Sequence, residues 1–133
     1  RQYTPEGTFN AFSKHLDRLK AMGVETIWFM PINPISKLDR KGTLGSYYAV
    51  SDYTAINPEF GTMDDFKKIV KSIHDKGMKV LIDWVPNHTG ADHRWLKQHP
   101  DFFVKVNDKE VYIIETKGRE DENDKLKFDI GKR

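Results

Sequence analysis

Met78-Lys79-Val80-Leu81-Ile82-Asp83-Trp84-Val85-Pro86-Asn87-His88 is the stretch on which the fold turns. Met78 to Val85 is apolar enough to predict a strand buried on both faces. Pro86 has no amide hydrogen to give and stops it. An Asp such as Asp83 is costly inside a buried strand unless it is paired. Asn87 and His88 follow the strand directly, and ligands in parallel α/β folds gather at the carboxyl ends of strands. On these residues alone a plainer reading carries equal weight: Asp83 takes a backbone amide and His88 is a surface loop residue.

Upstream, Phe66, Ile69, Val70 and Ile73 recur at helical spacing. Thr62 and Asp65 are spaced as a capping box with Asp in place of Glu, and Gly77 closes the helix. Before it lies a long irregular stretch, Asn33 to Gly61, holding Tyr47, Tyr48 and Tyr53. A loop this long in a compact domain is functional or disordered, and three tyrosines argue against disorder. Val24 to Met30, β-branched and aromatic, reads as another buried strand ended by Pro31. Thr8 to Met22 reads as a first helix with Phe9, Phe12, Leu16, Leu19 and Met22 on one face and Gly23 as a left-handed cap. Helix, strand, loop, helix, strand at this spacing implies an α/β fold with parallel strands and right-handed crossovers. The pattern leaves both an open doubly wound sheet and a closed barrel available.

Downstream the texture changes. Asp101 to Val106 and Glu110 to Glu115 flank Asn107-Asp108-Lys109 and read as a β-hairpin. From Lys117 the chain is dense in both charge signs and reads as a solvated helix or frayed tail. The division is therefore residues 1–99 and residues 100–133.

The chain has 133 residues, room for about one domain. A formal net charge of +2 is too small to predict a nucleic acid or an acidic substrate. There are no cysteines, which excludes disulfides and thiolate metal sites. No apolar run approaches the roughly 20 residues of a membrane span, so no membrane partner is expected. The chain opens on Arg1 rather than Met, which suggests an excised, engineered or processed piece. Localisation is not readable.

Several segments in order carry a family resemblance. Gly45-Ser46-Tyr47-Tyr48-Ala49-Val50-Ser51-Asp52-Tyr53, Asn57-Pro58-Glu59-Phe60-Gly61-Thr62, Lys76-Gly77-Met78 and Asp83 to His88 together resemble the α-amylase family of glycoside hydrolases. Phe29-Met30-Pro31-Ile32-Asn33-Pro34 looks like its second barrel strand. Asn87-His88-Thr89-Gly90, then Asp92-His93, Trp95 and His99-Pro100-Asp101-Phe102, look like the start of its inserted loop domain. The resemblance covers residues 1 to about 105. It implies a partial (β/α)8 barrel holding strands two and three and helices one and two, with Arg1 to Tyr3 at the exit of strand one.

The resemblance also implies roles. Tyr48 matches the aromatic that stacks under the sugar beside the scissile bond, and His88 the residue that hydrogen-bonds that sugar. Asp83 matches a supporting acid that orients an arginine on strand four. Asn87 matches a position that gives an oxygen to a structural calcium in many members, as suits a hard cation. The implied substrate is an α-glucan or maltooligosaccharide. The retaining mechanism uses a nucleophile and an acid, two carboxylates about 5 Å apart, and the family draws both from later strands. No residue of this chain matches either, so the chain alone is expected not to cleave.

The tail carries a second, shorter resemblance. Pro100-Asp101 with Glu115-Thr116-Lys117-Gly118 is similar to the signature of PD-(D/E)XK nucleases. Glu115 and Lys117 would share one face of a strand. With Asp101 opposite, two carboxylates would hold Mg²⁺ or Mn²⁺ and the Lys would help activate water. Nucleic acid is a partner on that reading alone, and residues 100–133 would then be of separate origin. A third reading is a non-catalytic, engineered or chimeric fragment. A partial barrel has open strand edges, which the hairpin is expected to cover in a monomer, with self-association as the alternative.

Overall fold

The central feature is a parallel pair, β1 (Thr26–Phe29) and β2 (Lys79–Ile82), in register from Thr26↔Lys79 to Phe29↔Ile82. It comes from a computed structural model describing residues 1–98, 103–105 and 111–113. Lys79 N–H donates to Glu25 O and Asp83 N–H to Phe29 O, both at 2.8 Å, so the ladder runs one bond past each end. Asp83 is thereby fixed at the carboxyl end of the pair.

Helix α3 (Met63–Asp75) makes the crossover between the two strands. The capping box is present: Thr62 Oγ1 accepts from Asp65 N–H at 3.1 Å, and Asp65 Oδ2 accepts from Thr62 N–H at 2.9 Å. These bonds satisfy donors that a helix start otherwise leaves open. Ile69 and Ile73 of α3 join Ile27, Ile32, Phe60 and Met78 in the core. Phe9 meets Phe29 and Phe66 at centroid distances of 6.0 and 5.3 Å, tying the first helical segment to both partners.

That first segment is not the single helix expected over Thr8 to Met22. It is α1 (Phe9–Ser13) and α2 (Leu16–Ala21), separated by a tight turn. Ser13 Oγ donates to Asn10 O at 2.8 Å, which occupies the carbonyl that Lys14 N–H would use in a continuous helix. Lys14 N–H turns to Ala11 O and His15 N–H to Phe12 O, one residue short of helical spacing. Met22, expected on the buried face, is exposed. Gly23 does adopt the left-handed conformation, φ 85°.

The strands are buried on one face rather than two. Ile27 faces the helices, whereas Trp28 and its cross-strand partner Leu81 on the other face are 61% and 58% exposed. The reason is topological: among the described residues β1 and β2 pair only with each other, and nothing covers their second face.

The loop from Asn33 to Gly61 is ordered by the bridge Ile35↔Val50 and by Ser36 N–H to Ala49 O at 2.7 Å. A second sheet has the order β3 (His88–Thr89), β5 (Val111–Ile113), β4 (Phe103–Lys105), all antiparallel. The β4–β5 pair falls within the expected hairpin. It lies against β3 and not along the edges of β1 and β2, because the chain leaves β2 through the Pro86 turn and offers β3 as the nearer partner. The charged segment after residue 113 lies outside the described residues. A short α4 (Trp95–Gln98) lies between β3 and β4 in the chain. No helix among the described residues is long and apolar enough to cross a membrane.

Candidate functional site

Asp83 leaves β2 with its carboxylate directed to Tyr48, whose hydroxyl donates to Asp83 Oδ2 at 2.8 Å. The pairing expected for a strand Asp is thus made by a side chain from the long loop. The hydrogen bond to Asp83 raises the Tyr48 pKa, helped by burial and the carboxylate's charge, so Tyr48 holds its proton as a donor. Beyond the three residues that follow β2, the Pro86–Asn87 turn presents Asn87 and His88. His88 Nδ1 sits on Asn87 Oδ1, which as an acceptor fixes Nδ1 as the protonated nitrogen. In neutral His88 the opposite nitrogen, Nε2, is then an acceptor.

The structure therefore brings Tyr48 to Asp83 and Asn87 to His88, at the carboxyl ends of the parallel strands. Asp101, Glu115 and Lys117 lie outside the described residues. Asn87 offers a single amide oxygen toward calcium, which takes 6–8 oxygen ligands. No group of three or more His, Cys, Asp or Glu among the described residues could hold a metal ion. Among the described residues Asn87 is thus without a carboxylate cluster to share a cation with.

A groove of about 470 Å³ opens elsewhere, lined by Arg1, Phe12, Trp28, Phe29, Tyr47 and Phe60 among others. None of Tyr48, Asp83, Asn87 or His88 lines it. It runs along the edge of β1 that is unpaired among the described residues, beside Phe9 and Phe12 of α1, so we assign the site to the strand ends and not to this groove.

Sequence reasoning missed the residues that brace the site. Asn33, buried just after β1, donates from Nδ2 to Tyr53 O and Ala55 O, both at 3.1 Å. Asp92 Oδ2 accepts from Lys37 N–H at 2.8 Å and Leu38 N–H at 3.2 Å, closing the loop after β1 onto the chain after β3. Burial would raise the Asp92 pKa, but hydrogen bonds from the Lys37 amide, the Ser36 hydroxyl and the Leu38 amide together outweigh it and the net shift is downward. A polar residue between the apolar Ile32 and Pro34, just past the strand-ending Pro31, was the available signal for Asn33; the bonds of Asp92 gave none, because its partners are over fifty positions away.

His93 is buried, with Nδ1 accepting from Trp95 N–H at 3.1 Å. Burial lowers its pKa from 6.5; Asp52 and Asp92 oppose this and Arg94 adds to it. The folded chain therefore favours neutral His93, and its stabilisation is complete above pH 6.5 and lost as pH falls through the lower folded value. Melting temperature is expected to be level above about pH 7 and to fall below pH 6.5. His93→Asn, whose Oδ1 can replace Nδ1 as acceptor, should flatten that fall. An unchanged slope in the variant would assign it elsewhere. Asp65, lowered to about 2 first by the Thr62 amide and then by Asn10 and the Thr62 hydroxyl, acts only in a separate window below pH 3.8.

A parallel β-α-β unit with polar and aromatic residues at its strand ends defines an α/β domain of the parallel-sheet class. The alpha amylase catalytic-domain family model matches residues 2–129, and the chain belongs to the alpha-amylase family. Alpha-amylase SusG of Bacteroides thetaiotaomicron is 37% identical over 92 residues, 69% of this chain and 12% of its own length. The amino acid transporter heavy chain SLC3A1 of Mus musculus is 38% identical over 108 residues, 76% of this chain and 15% of its own. A crystal structure of an alpha-amylase from Lactobacillus plantarum matches with TM-score 0.79 and 42% identity, covering 86% of this chain and 30% of that one. The chain thus spans between a tenth and a third of the proteins it matches.

Proposed function

We propose that this chain is the sugar-contacting early part of an α-amylase-type retaining glycoside hydrolase acting on α-glucans. It supplies strands two and three and helices one and two of a (β/α)8 barrel. The observation that carries the reading is the Tyr48–Asp83 pair beside the Asn87–His88 turn. Tyr48 offers a ring to the C–H face of a glucose unit, anchored through its hydroxyl. His88, presented by the turn, would hydrogen-bond a sugar hydroxyl, the role that its match to the family implies. Asp83 supports, by holding Tyr48 and by offering charge to a later-strand arginine. A retaining mechanism needs two carboxylates about 5 Å apart flanking the bond, and Asp83 is already committed to Tyr48. The chain alone binds and does not cleave.

Family membership alone does not decide catalysis, since one relative is named as a transporter heavy chain. The test is direct. Calorimetry with maltoheptaose should give weak binding that drops below detection in Tyr48→Ala, with no reducing sugar released by either chain. Binding that survives Tyr48→Ala would sink the assigned site. Two observations favour the tail as a continuation of the same domain: the family match runs to residue 129, and β5 pairs with β3. Plasmid nicking in Mg²⁺ or Mn²⁺ is accordingly expected to be absent. The exposed Trp28 and Leu81 support self-association of the isolated chain, which sedimentation would read as a dimer.

A further inference from the structure

Tyr53 joins the ends of both parallel strands. Its backbone carbonyl is held by Asn33, which follows β1. Its phenolic oxygen lies 2.9 Å from Val85 O and also within hydrogen-bonding distance of His88 O. Val85 and His88 bracket the Pro86–Asn87 turn, so a single hydroxyl hydrogen is shared between the two carbonyls at the turn's ends. Among the described residues three other rings confine that of Tyr53: His93 at 5.3 Å, Trp95 at 5.9 Å and Trp84 at 6.4 Å. A hydroxyl carried on a ring fixed this way leaves the turn one place to sit.

We propose that Tyr53 is a positioning residue: its hydroxyl sets the Val85–His88 turn and thereby aims the His88 imidazole at the sugar. The aim at sugar rests on the function proposed above; the control of the turn does not. Burial raises the Tyr53 pKa, so the donor persists across the neutral range. Phenylalanine would keep the stacked ring and delete only the hydrogen that both carbonyls use.

The test uses the full chain, with Tyr53→Phe as the main variant and Asn33→Ser, which loosens the backbone anchor of Tyr53, as the second. Ile69→Val, a mild core lesion remote from the turn, controls for general loosening. Imidazole NMR signals of His88 and maltoheptaose affinity are both read well below each variant's melting point. Tyr53→Phe is expected to shift the His88 signals and weaken affinity about tenfold. Asn33→Ser should do the same to a smaller extent, and Ile69→Val should do neither. Unmoved His88 signals in both Tyr53→Phe and Asn33→Ser would overturn the proposal. Shifted signals with unchanged affinity, or the same shifts in Ile69→Val, would overturn it too. If the parent chain binds no maltoheptaose while Tyr53→Phe still moves His88, the sugar reading fails and control of the turn stands.

Discussion

Ile73→Ala is expected to lower the free energy of unfolding by about 2–5 kcal/mol. Ile73 is fully buried in the last turn of α3, among Leu16, Ile27, Ile69 and Met78. Its backbone carbonyl accepts from Met78 N–H at 3.1 Å and Lys76 N–H at 3.2 Å, so the residue marks where the helix hands over to β2. Removing its side chain costs the transfer energy of the lost carbons and leaves a cavity that a rigid helix–strand junction cannot close. Domains of this size hold about 5–15 kcal/mol in total, so a large share of the chain's stability would go. Leu81→Ala is the comparison. Leu81 is 58% exposed on the uncovered face of β2, and its loss should stay within about 0.5 kcal/mol. Urea midpoints for the two variants should therefore differ widely. Similar losses at both would mean that the face of β2 opposite α3 is covered in solution.

Nothing in the sequence separates Ile73 from Leu81: each is an aliphatic residue inside a regular apolar pattern. What was legible was local. The Thr62–Asp65 capping box, the Gly23 cap and the alternation of helical with strand periodicity depend on neighbours a few residues apart. What was not legible depended on competition or distance. The break at Lys14 arises because a serine hydroxyl takes one carbonyl, an event too small to disturb the periodicity of Phe9, Phe12 and Leu16. The exposed second face of the strands is set by which strands are beside them. At the site, the order of motifs pointed to Tyr48 and His88, and the strand-end argument pointed to Asp83. The braces were hidden because their partners are remote: Tyr53 reaches across 32 and 35 positions, and Asp92 across 54 and 55.

Gly90→Ala should cost about 3 kcal/mol, the upper end for overpacking, and should disturb the site as well as the fold. A methyl group on Gly90 would stand 2.3 Å from Ser36 Cβ and 3.2 Å from Val50 O. Neither can retreat easily. Ser36 is buried and its N–H is bonded to Ala49 O, while Val50 O accepts from Gly90 N–H at 2.7 Å. Here three loop segments stack, with residues 49–51 held between 34–36 and 88–90. Tyr48 enters the site from the middle segment, so pushing the layers apart also draws its hydroxyl from Asp83. A double-mutant cycle isolates the contact. Ser36→Gly removes the atom that the new methyl strikes, so Gly90→Ala should cost much less in that background, with the Val50 O contact left as the remainder. Maltoheptaose affinity should recover in parallel with stability. Additive losses would show that the layers do not meet at this pair, and the path that brings Tyr48 to Asp83 would then need a different support.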